Sequence, residues 1–340
     1  MIKEAITLVA GKKDLSPDQM QAVMQEIFRG ECATPDIVSF LTGLHSKGET
    51  VEELTTAVLT MLAYVDPIRV AKRNVLDTCG TGGDAKGTFN ISTVAAFVAA
   101  GAGITVAKHG NRSISSRCGS ADLLEALGVA IAVDKAVIQR CLNEIGIAFL
   151  FAPRLHPAMQ HVMAARKQIG TKTMFNLLGP LINPARATHQ LVGVFSEPWT
   201  SILARVLCNL GSEHVLVVHG KDGLDEVTTT NLTVISEYDG IDFKDYDIAP
   251  EDFGIARAQL SDLQANDIED NKRIALEVLR GKTGAPRDIV LMNAGCAIYA
   301  ANKAASIKEG IVLAAASIDS GRALEKLELL KRYSQEVAHG

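Results

Sequence analysis

The chain has 340 residues, 47% of them hydrophobic, with a net charge of −5 and a pI near 5.9. That length is long for one core, so two domains are expected, and the small negative charge argues against a nucleic-acid binder acting through its overall field. The N-terminus lacks the apolar run of a signal peptide. The most apolar stretch, Val94 to Ala107, is broken by Gly101 and Gly103, so no membrane segment is expected. Cys32, Cys79, Cys118, Cys141, Cys208 and Cys296 lie far apart with no C-x-x-C pair, which fits reduced thiols in a cytoplasmic protein.

Residues 1–70 read as short helices. Ser16 can cap one, with Pro17 at its first position and Met20, Val23, Met24, Ile27 and Phe28 on one face; Thr34 and Pro35 repeat the device, and Thr50 with Glu53 forms a capping box. Apolar faces left over would serve equally as core or as a dimer interface. From Asn74 onward short apolar runs alternate with helices: Val75-Leu76, Ile104 to Ala107, Val129 to Val133, Ile147 to Phe151, Leu191 to Phe195 and Val215 to Val218. This alternation predicts a mostly parallel sheet, with ligands beyond the carboxyl ends of its strands. The Gly80 turn, Lys108 and His219-Gly220 fall there. Phe175 to Ala185, with Gly-Pro and Asn-Pro, reads as a crossing between domains.

No acidic residue occurs between Asp84 and Asp122, whereas Lys86, Gly87, Lys108, Arg112 and Arg117 fall in that gap, just after Gly80, Gly82 and Gly83. Converging amides and cations of this kind suit a phosphorylated ligand. The run Gly80 to Ala85 matches G-x-G-x-x-G/A, yet Lys108 and His109 stand where a dinucleotide site needs an acid, and no Walker A lysine follows. Taken alone, such a turn is as often structural. Asn90-Ile91-Ser92-Thr93 opens the next helix and would add its positive end, or would merely cap it. Lys108 would meet phosphate as a point charge and Arg112 as a fork, while His109 alone is more often structural. Asp225-Glu226 is the protein share expected of a Mg²⁺ site completed by phosphate and water, although neighbouring acids on turns usually mean nothing by themselves. Arg166, downstream of His156, could clamp a carboxylate or form a surface ion pair.

Taken together, GTGGD at Gly80–Asp84, NIST at Asn90–Thr93, KHGNR at Lys108–Arg112, HPAM at His156–Met159, FNLLGPL at Phe175–Leu181, DGLDEVT at Asp222–Thr228, PEDFG at Pro250–Gly254 and IDSG at Ile318–Gly321 resemble the anthranilate phosphoribosyltransferase family over essentially the whole chain. The resemblance implies an α/β fold of the nucleoside phosphorylase/phosphoribosyltransferase kind: a small all-helical domain, 1–70 with 171–188 returning to it, and a larger domain, 71–170 and 189–340, with a mostly parallel central sheet. It implies a homodimer through the helical domain, and 5-phosphoribosyl 1-pyrophosphate, anthranilate and Mg²⁺ as ligands. Carried over, Gly80, Gly83, Asp84, Thr88, Asn90, Ser92, Thr93, Lys108 and Ser120 would surround the phosphorylated sugar, and Ile91, Gly110, Arg112, Ser113, Ser115 and Ser116 would also bind substrate. Asn111 and Arg166, with His109 and His156 nearby, would hold anthranilate; Ser92, Asp225 and Glu226 would serve the metal; Lys108, Asn111 and Arg166 would carry catalysis.

Two positions depart from the family: Ala85, where glycine is common, and Lys172, where arginine is common. Neither is expected to touch the assigned contacts. The rival readings are a pyrimidine nucleoside phosphorylase, which shares the Lys-His start of its phosphate loop but not the following Gly110-Asn111-Arg112, and a non-catalytic relative binding nucleic acid through a basic groove.

Overall fold

The computed structural model describes residues 1–72, 74–112 and 118–336. Helices α1 (Ile2–Ala10), α2 (Pro17–Phe28), α3 (Thr34–Lys47) and α4 (Val51–Leu62) open the chain. Ser16 and Gln19 exchange side-chain-to-backbone hydrogen bonds at the start of α2, and Thr50 and Glu53 do so at α4. Glu53 also ties two other segments to this corner, accepting from the Leu15 amide at 2.9 Å and from Lys47 Nζ at 2.8 Å. The start of α3 differs from expectation. Thr34 is already helical and Ala33 is the cap residue, because the Asp36 and Ile37 amides that a Thr34 cap would need are taken by the Ala33 carbonyl.

The larger part contains β1 (Val75–Asp77), α5 (Ile91–Gly101), β2 (Thr105–Gly110), α6 (Ser120–Ala126), α7 (Lys135–Arg140), β3 (Ile147–Phe151), α8 (Ala152–Leu155) and α9 (Gln160–Ile169). After α10 (Met174–Leu178) follow β4 (His189–Gly193), α11 (Trp199–Asn209), β5 (His214–Gly220) and a hairpin of β6 (Thr233–Tyr238) and β7 (Phe243–Ile248). Helices α12 (Ile268–Leu279), α13 (Ala285–Ala300), α14 (Ile307–Asp319) and α15 (Arg322–Gln335) close the chain. The strands form one sheet in the order β3-β2-β1-β4-β5-β6-β7, parallel from β3 to β5 and antiparallel across the hairpin. Val129 to Val133 is not a strand: the Ala130 amide donates to Ser334 Oγ of α15 at 3.0 Å, and the run is a loop against the last helix with Val129 and Ile131 buried.

Two cores result. One lies between the sheet and α5, α13, α14 and α15; the other joins the inner faces of α1–α4 to Met174, Phe175, Leu178, Leu181 and Ile182 and to the β4–β5 face through Val192, Val215 and Val217. The two passages between these parts run together, since the Ile68 amide donates to Pro184 O at 3.0 Å. From β1 the chain goes to β2 and β3 on one side and then crosses to β4 on the other. The carboxyl ends of β1 and β4 therefore border a topological switch point, where open α/β sheets leave a crevice. Among the described residues no helix is long and apolar enough to cross a membrane.

Candidate active site

The turn after β1 fills that crevice. Gly82 and Gly83 take φ of +67° and +84°, a region where a Cβ is strained, and Thr81 N–H donates to Gly193 O at the end of β4, 2.8 Å away. Ala85 shares this backbone, with φ of +57°, at a cost of roughly 1–2 kcal/mol. A Cβ on Gly80 would lie 3.0 Å from Gly193 O and 3.4 Å from Asp225 Oδ2; one on Gly193 would lie 1.6 Å from Asp225 O. Two missing side chains thus let the glycine turn, β4 and the Asp225 loop meet. The far side of the turn is anchored by the Thr88–Gln264 bridge and by Phe89 N–H donating to Leu263 O at 2.9 Å.

Asn90 caps α5, its Oδ1 accepting from Thr93 N at 3.2 Å, while Asn271 Oδ1 accepts from Asn90 N at 2.9 Å. Ile91 is in the core and its amide donates to Phe89 O; the Thr93 hydroxyl is buried without a partner among the described residues. Lys108 lies inside β2 and is buried. Its Nζ donates to Thr78 O, Thr78 Oγ1 and Ser92 Oγ at 3.1, 3.2 and 3.3 Å, so in this arrangement it is an internal counter-ion with all its donors engaged. Beneath it, Asp77 accepts from the His109 amide at 3.1 Å and from Asn183 Nδ2 at 2.7 Å; burial, opposed by Lys108, pushes its carboxyl up to about 6.

The Arg112 fork, expected on phosphate, is held bidentate by Glu125 and bonded to Asp122, with its guanidinium 5.8 Å from the Phe151 ring centre. Charge complementarity with α6 explains the difference, since these acids lie one and two turns along from the loop. Asn111 is exposed, and its carbonyl accepts from the Ser120 hydroxyl and the Ala121 amide, both at 3.2 Å. Gly110 makes room for that closure, because a Cβ there would meet Ser120 Oγ at 2.3 Å. Ser113, Ser115 and Ser116 lie outside the described residues.

The loop after β5 carries the acidic pair. Asp222 shapes it by accepting from the Leu224 amide at 3.0 Å and from the Thr228 hydroxyl at 2.5 Å. Asn293 on α13 grips the next peptide, accepting from Val227 N at 2.9 Å and donating to Val227 O at 2.8 Å. Desolvation first, and then the neighbouring Asp84 carboxylate, push Asp225 up to about 7; desolvation and Asp225 push Glu226 well above the carboxylate range, while Lys108 and the Ser92 amide pull it back. Neither acid has an ion pair among the described residues. Nor do any three His, Cys, Asp or Glu side chains there cage an ion by themselves. Two crowded hard-oxygen donors facing a phosphate-type turn fit Mg²⁺, which keeps waters and takes substrate oxygens for the rest of its shell.

On the other wall, His109 Nδ1–H donates to Gly179 O at 2.9 Å, since a carbonyl only accepts. His109 Nε2 is then a bare acceptor for His156 Nε2–H at 3.1 Å, which leaves His156 Nδ1 without a proton, buried and without a partner among the described residues. Burial holds His109 down to about 4 and His156 down to about 3, so both rings are neutral. Arg166 comes from α9. Half-buried, it has no side-chain bond or ion pair to a described residue, and desolvation lowers its pKa.

Lys172 corrects the expectation that it touches none of the assigned positions: its Nζ donates to Gly83 O at 2.9 Å and sits 3.6 Å from the Phe195 ring centre. Sequence reasoning also passed over Asp77, Asn183, Gly193 and Asn293. Asp77 adjoins a glycine turn that was singled out, but nothing local marks Asn293 within an apolar helix.

Residues 72–324 match the glycosyl transferase family a/b domain and residues 3–65 its helical bundle domain. Anthranilate phosphoribosyltransferases from Alkaliphilus metalliredigens and Rubrobacter xylanophilus are 48% and 47% identical, each alignment covering 99% of both chains. The chain belongs to the anthranilate phosphoribosyltransferase family.

The solved anthranilate phosphoribosyltransferase from Thermus thermophilus is 40% identical with a TM-score of 0.92, over 98% of this chain and 99% of that one. That from Saccharomyces cerevisiae, in complex with PRPP and Mg, is 29% identical with a TM-score of 0.91, over 99% and 98%. The helical part followed by an α/β part with a mostly parallel sheet is therefore the arrangement of the anthranilate phosphoribosyltransferase family.

Proposed function

We propose that the chain transfers the 5-phosphoribosyl group from 5-phosphoribosyl 1-pyrophosphate to the amine of anthranilate, releasing pyrophosphate, in tryptophan biosynthesis. The observation that carries this reading is the meeting of the Gly80–Asp84 turn with Asp225 and Glu226 at the sheet's switch point, an assembly for a diphosphate and a hard cation. In it, Gly80, Gly83, Asp84, Thr88, Ser92 and Thr93 face the donor. Arg166 offers an unpaired fork suited to the anthranilate carboxylate, with Asn111 and the neutral His109–His156 pair alongside.

The arylamine nitrogen attacks the anomeric carbon as the bond to pyrophosphate breaks, through an oxocarbenium-like transition state. Charge grows on the leaving group, so donors fixed beforehand around it lower the barrier. Bound Mg²⁺, held by Asp225 and Glu226 near Ser92, would neutralise part of that charge. Lys108 keeps the strands under the turn electrically balanced, and Arg166 with Asn111 orients the amine. The nitrogen becomes acidic as it bonds to carbon, which removes the need for a strong base. Closure of the helical part about 175–185 would exclude water.

To this reading belong a homodimer through the helical part, supported by exposed Leu59 on α4, and a cytoplasmic location, supported by the scattered thiols. So does the division into 1–70 with 171–188 and 71–170 with 189–340. Loss of anthranilate fluorescence on mixing with the sugar donor and Mg²⁺ tests the activity. Phosphorolysis of pyrimidine nucleosides in its place would overturn it.

A further inference from the structure

We propose that Lys172 is a positioning residue for the donor's pyrophosphate: a cation carried in from the crossing segment that fixes the Gly83–Asp84 peptide and adds its charge to the diphosphate site. The inference rests on the function proposed above and concerns a residue outside every motif in that reading.

Four observations lead to it. Lys172 stands next to Thr173, the residue that caps α10, and the first turn of that helix is locked by the Thr173 amide donating to Asn176 Oδ1 at 2.9 Å, so the base of the side chain is fixed. Its stem packs on the glycine turn, with a Cβ at Gly83 falling 3.2 Å from Lys172 Cε and 3.4 Å from Nζ. The ammonium donates to Gly83 O at 2.9 Å and lies over Phe195, whose own amide donates to Thr81 Oγ1 at 3.2 Å. It therefore touches the turn directly at Gly83 and, through Phe195, is linked to Thr81. Finally, Asp225 and Asp84 are the charges that act on it, yet neither carboxylate bonds to its ammonium.

A peptide's C=O and N–H point to opposite sides. Holding Gly83 O on Lys172 therefore turns the Asp84 N–H away from the lysine, fixing one amide of a turn whose use is to present amides. A partly buried ammonium also lacks a full counter-charge where it stands. The aromatic face and one carbonyl compensate it in part, and a diphosphate beside Asp84 and Asp225 would complete the balance. A plain structural clamp would be complete with the carbonyl and the ring, and its loss would disturb the turn without a specific loss of pyrophosphate affinity.

The test is calorimetric titration of inorganic pyrophosphate with Mg²⁺, together with KM for each substrate, for wild type, Lys172→Met, Lys172→Gln and Lys172→Arg. Loss of a charge-assisted bond should weaken pyrophosphate and raise the donor KM by about tenfold or more in Lys172→Met, with the anthranilate KM within about twofold. Lys172→Gln, which keeps a donor and loses the charge, should fall between, and Lys172→Arg should stay within about threefold of wild type. Unchanged pyrophosphate affinity in both Met and Gln variants, an equal rise in both KM values, or an Arg variant as weak as Met would overturn the proposal. The titration needs no arylamine. A wild type that binds pyrophosphate without consuming anthranilate would sink the proposed function and still leave Lys172 measurable, whereas normal turnover with indifferent variants would sink only the role of Lys172.

Discussion

Asn293 holds both polar groups of Val227, the residue immediately after Glu226: its Oδ1 accepts from the Val227 amide at 2.9 Å and its Nδ2 donates to the Val227 carbonyl at 2.8 Å. It is fully buried, and Nδ2 also donates to Ile289 O one turn earlier at 2.9 Å. An acidic loop on the sheet is thus indexed to a helix as well as to its neighbours in sequence.

Replacing Asn293 with Ala should leave the buried Val227 groups unsatisfied and cost about 1–3 kcal/mol of stability. Because Glu226 is released with them, the Mg²⁺ concentration for half-maximal rate should rise as well. Denaturant unfolding and a metal titration of the rate would read the two effects; a stability loss without any change in metal requirement would limit Asn293 to packing.

Asp225 gives a pH dependence with a definite sign. Its carboxyl is held up to about 7, above the ordinary value, so the folded chain grips this proton more tightly than the unfolded chain does. That contribution to stability is complete below the ordinary carboxylate range and is lost as pH rises from there through about 7. In Asp225→Asn this loss should be absent. Added Mg²⁺ with pyrophosphate should raise the melting temperature more at pH 8 than at pH 6, since the ion competes with the proton. Asp225→Asn with Glu226→Gln should also lose most turnover, and a retained Mg²⁺ dependence would contradict the assignment.

His109 and His156 behave oppositely. Their pKa values are depressed, so the stabilisation of the neutral pair is present above about 6.5 and is lost as pH falls through about 4. His109→Asn, which keeps an N–H where Nδ1 donates to Gly179 O and cannot titrate, should flatten part of that fall. His109→Gln places its N–H elsewhere and should cost about 1–3 kcal/mol at neutral pH. Equal stability of the two variants across pH 4 to 7, followed by circular dichroism, would remove the assigned tautomer.

Arg166→Ala should raise the anthranilate KM by about tenfold or more and leave the donor KM nearly unchanged, because the fork has no described partner to release. Steady-state kinetics with each substrate varied in turn would decide it, and the reverse ranking would move anthranilate elsewhere.

What the sequence disclosed follows from how local each signal is. Runs such as Ile147 to Phe151 read directly as buried strands, and Thr50 with Glu53 marks a helix start, because those patterns are complete within a few residues. The β6–β7 hairpin escaped notice: β7 is an exposed edge rich in charge, with Lys244, Asp245 and Asp247, and carries no apolar alternation. β4 begins at His189 and Gln190, buried polar residues whose partners, Asn302 and Pro180 O, lie elsewhere in the chain. In the site, the glycine turn and the acidic pair are written in residue type. Lys172 and Asn293 act across 89 and 66 residues of separation, and only the folded chain brings them to Gly83 and Val227.

The close approach of Gly193 to Asp225 bears on any attempt to redesign this chain. Since the acidic loop's own carbonyl fills the place of the absent methyl, even alanine at 193 would push that loop outward and take the carboxylates with it. Libraries seeking new donors or acceptors gain by holding position 193 constant and varying the rim, where Asn111 and Arg112 are open to solvent.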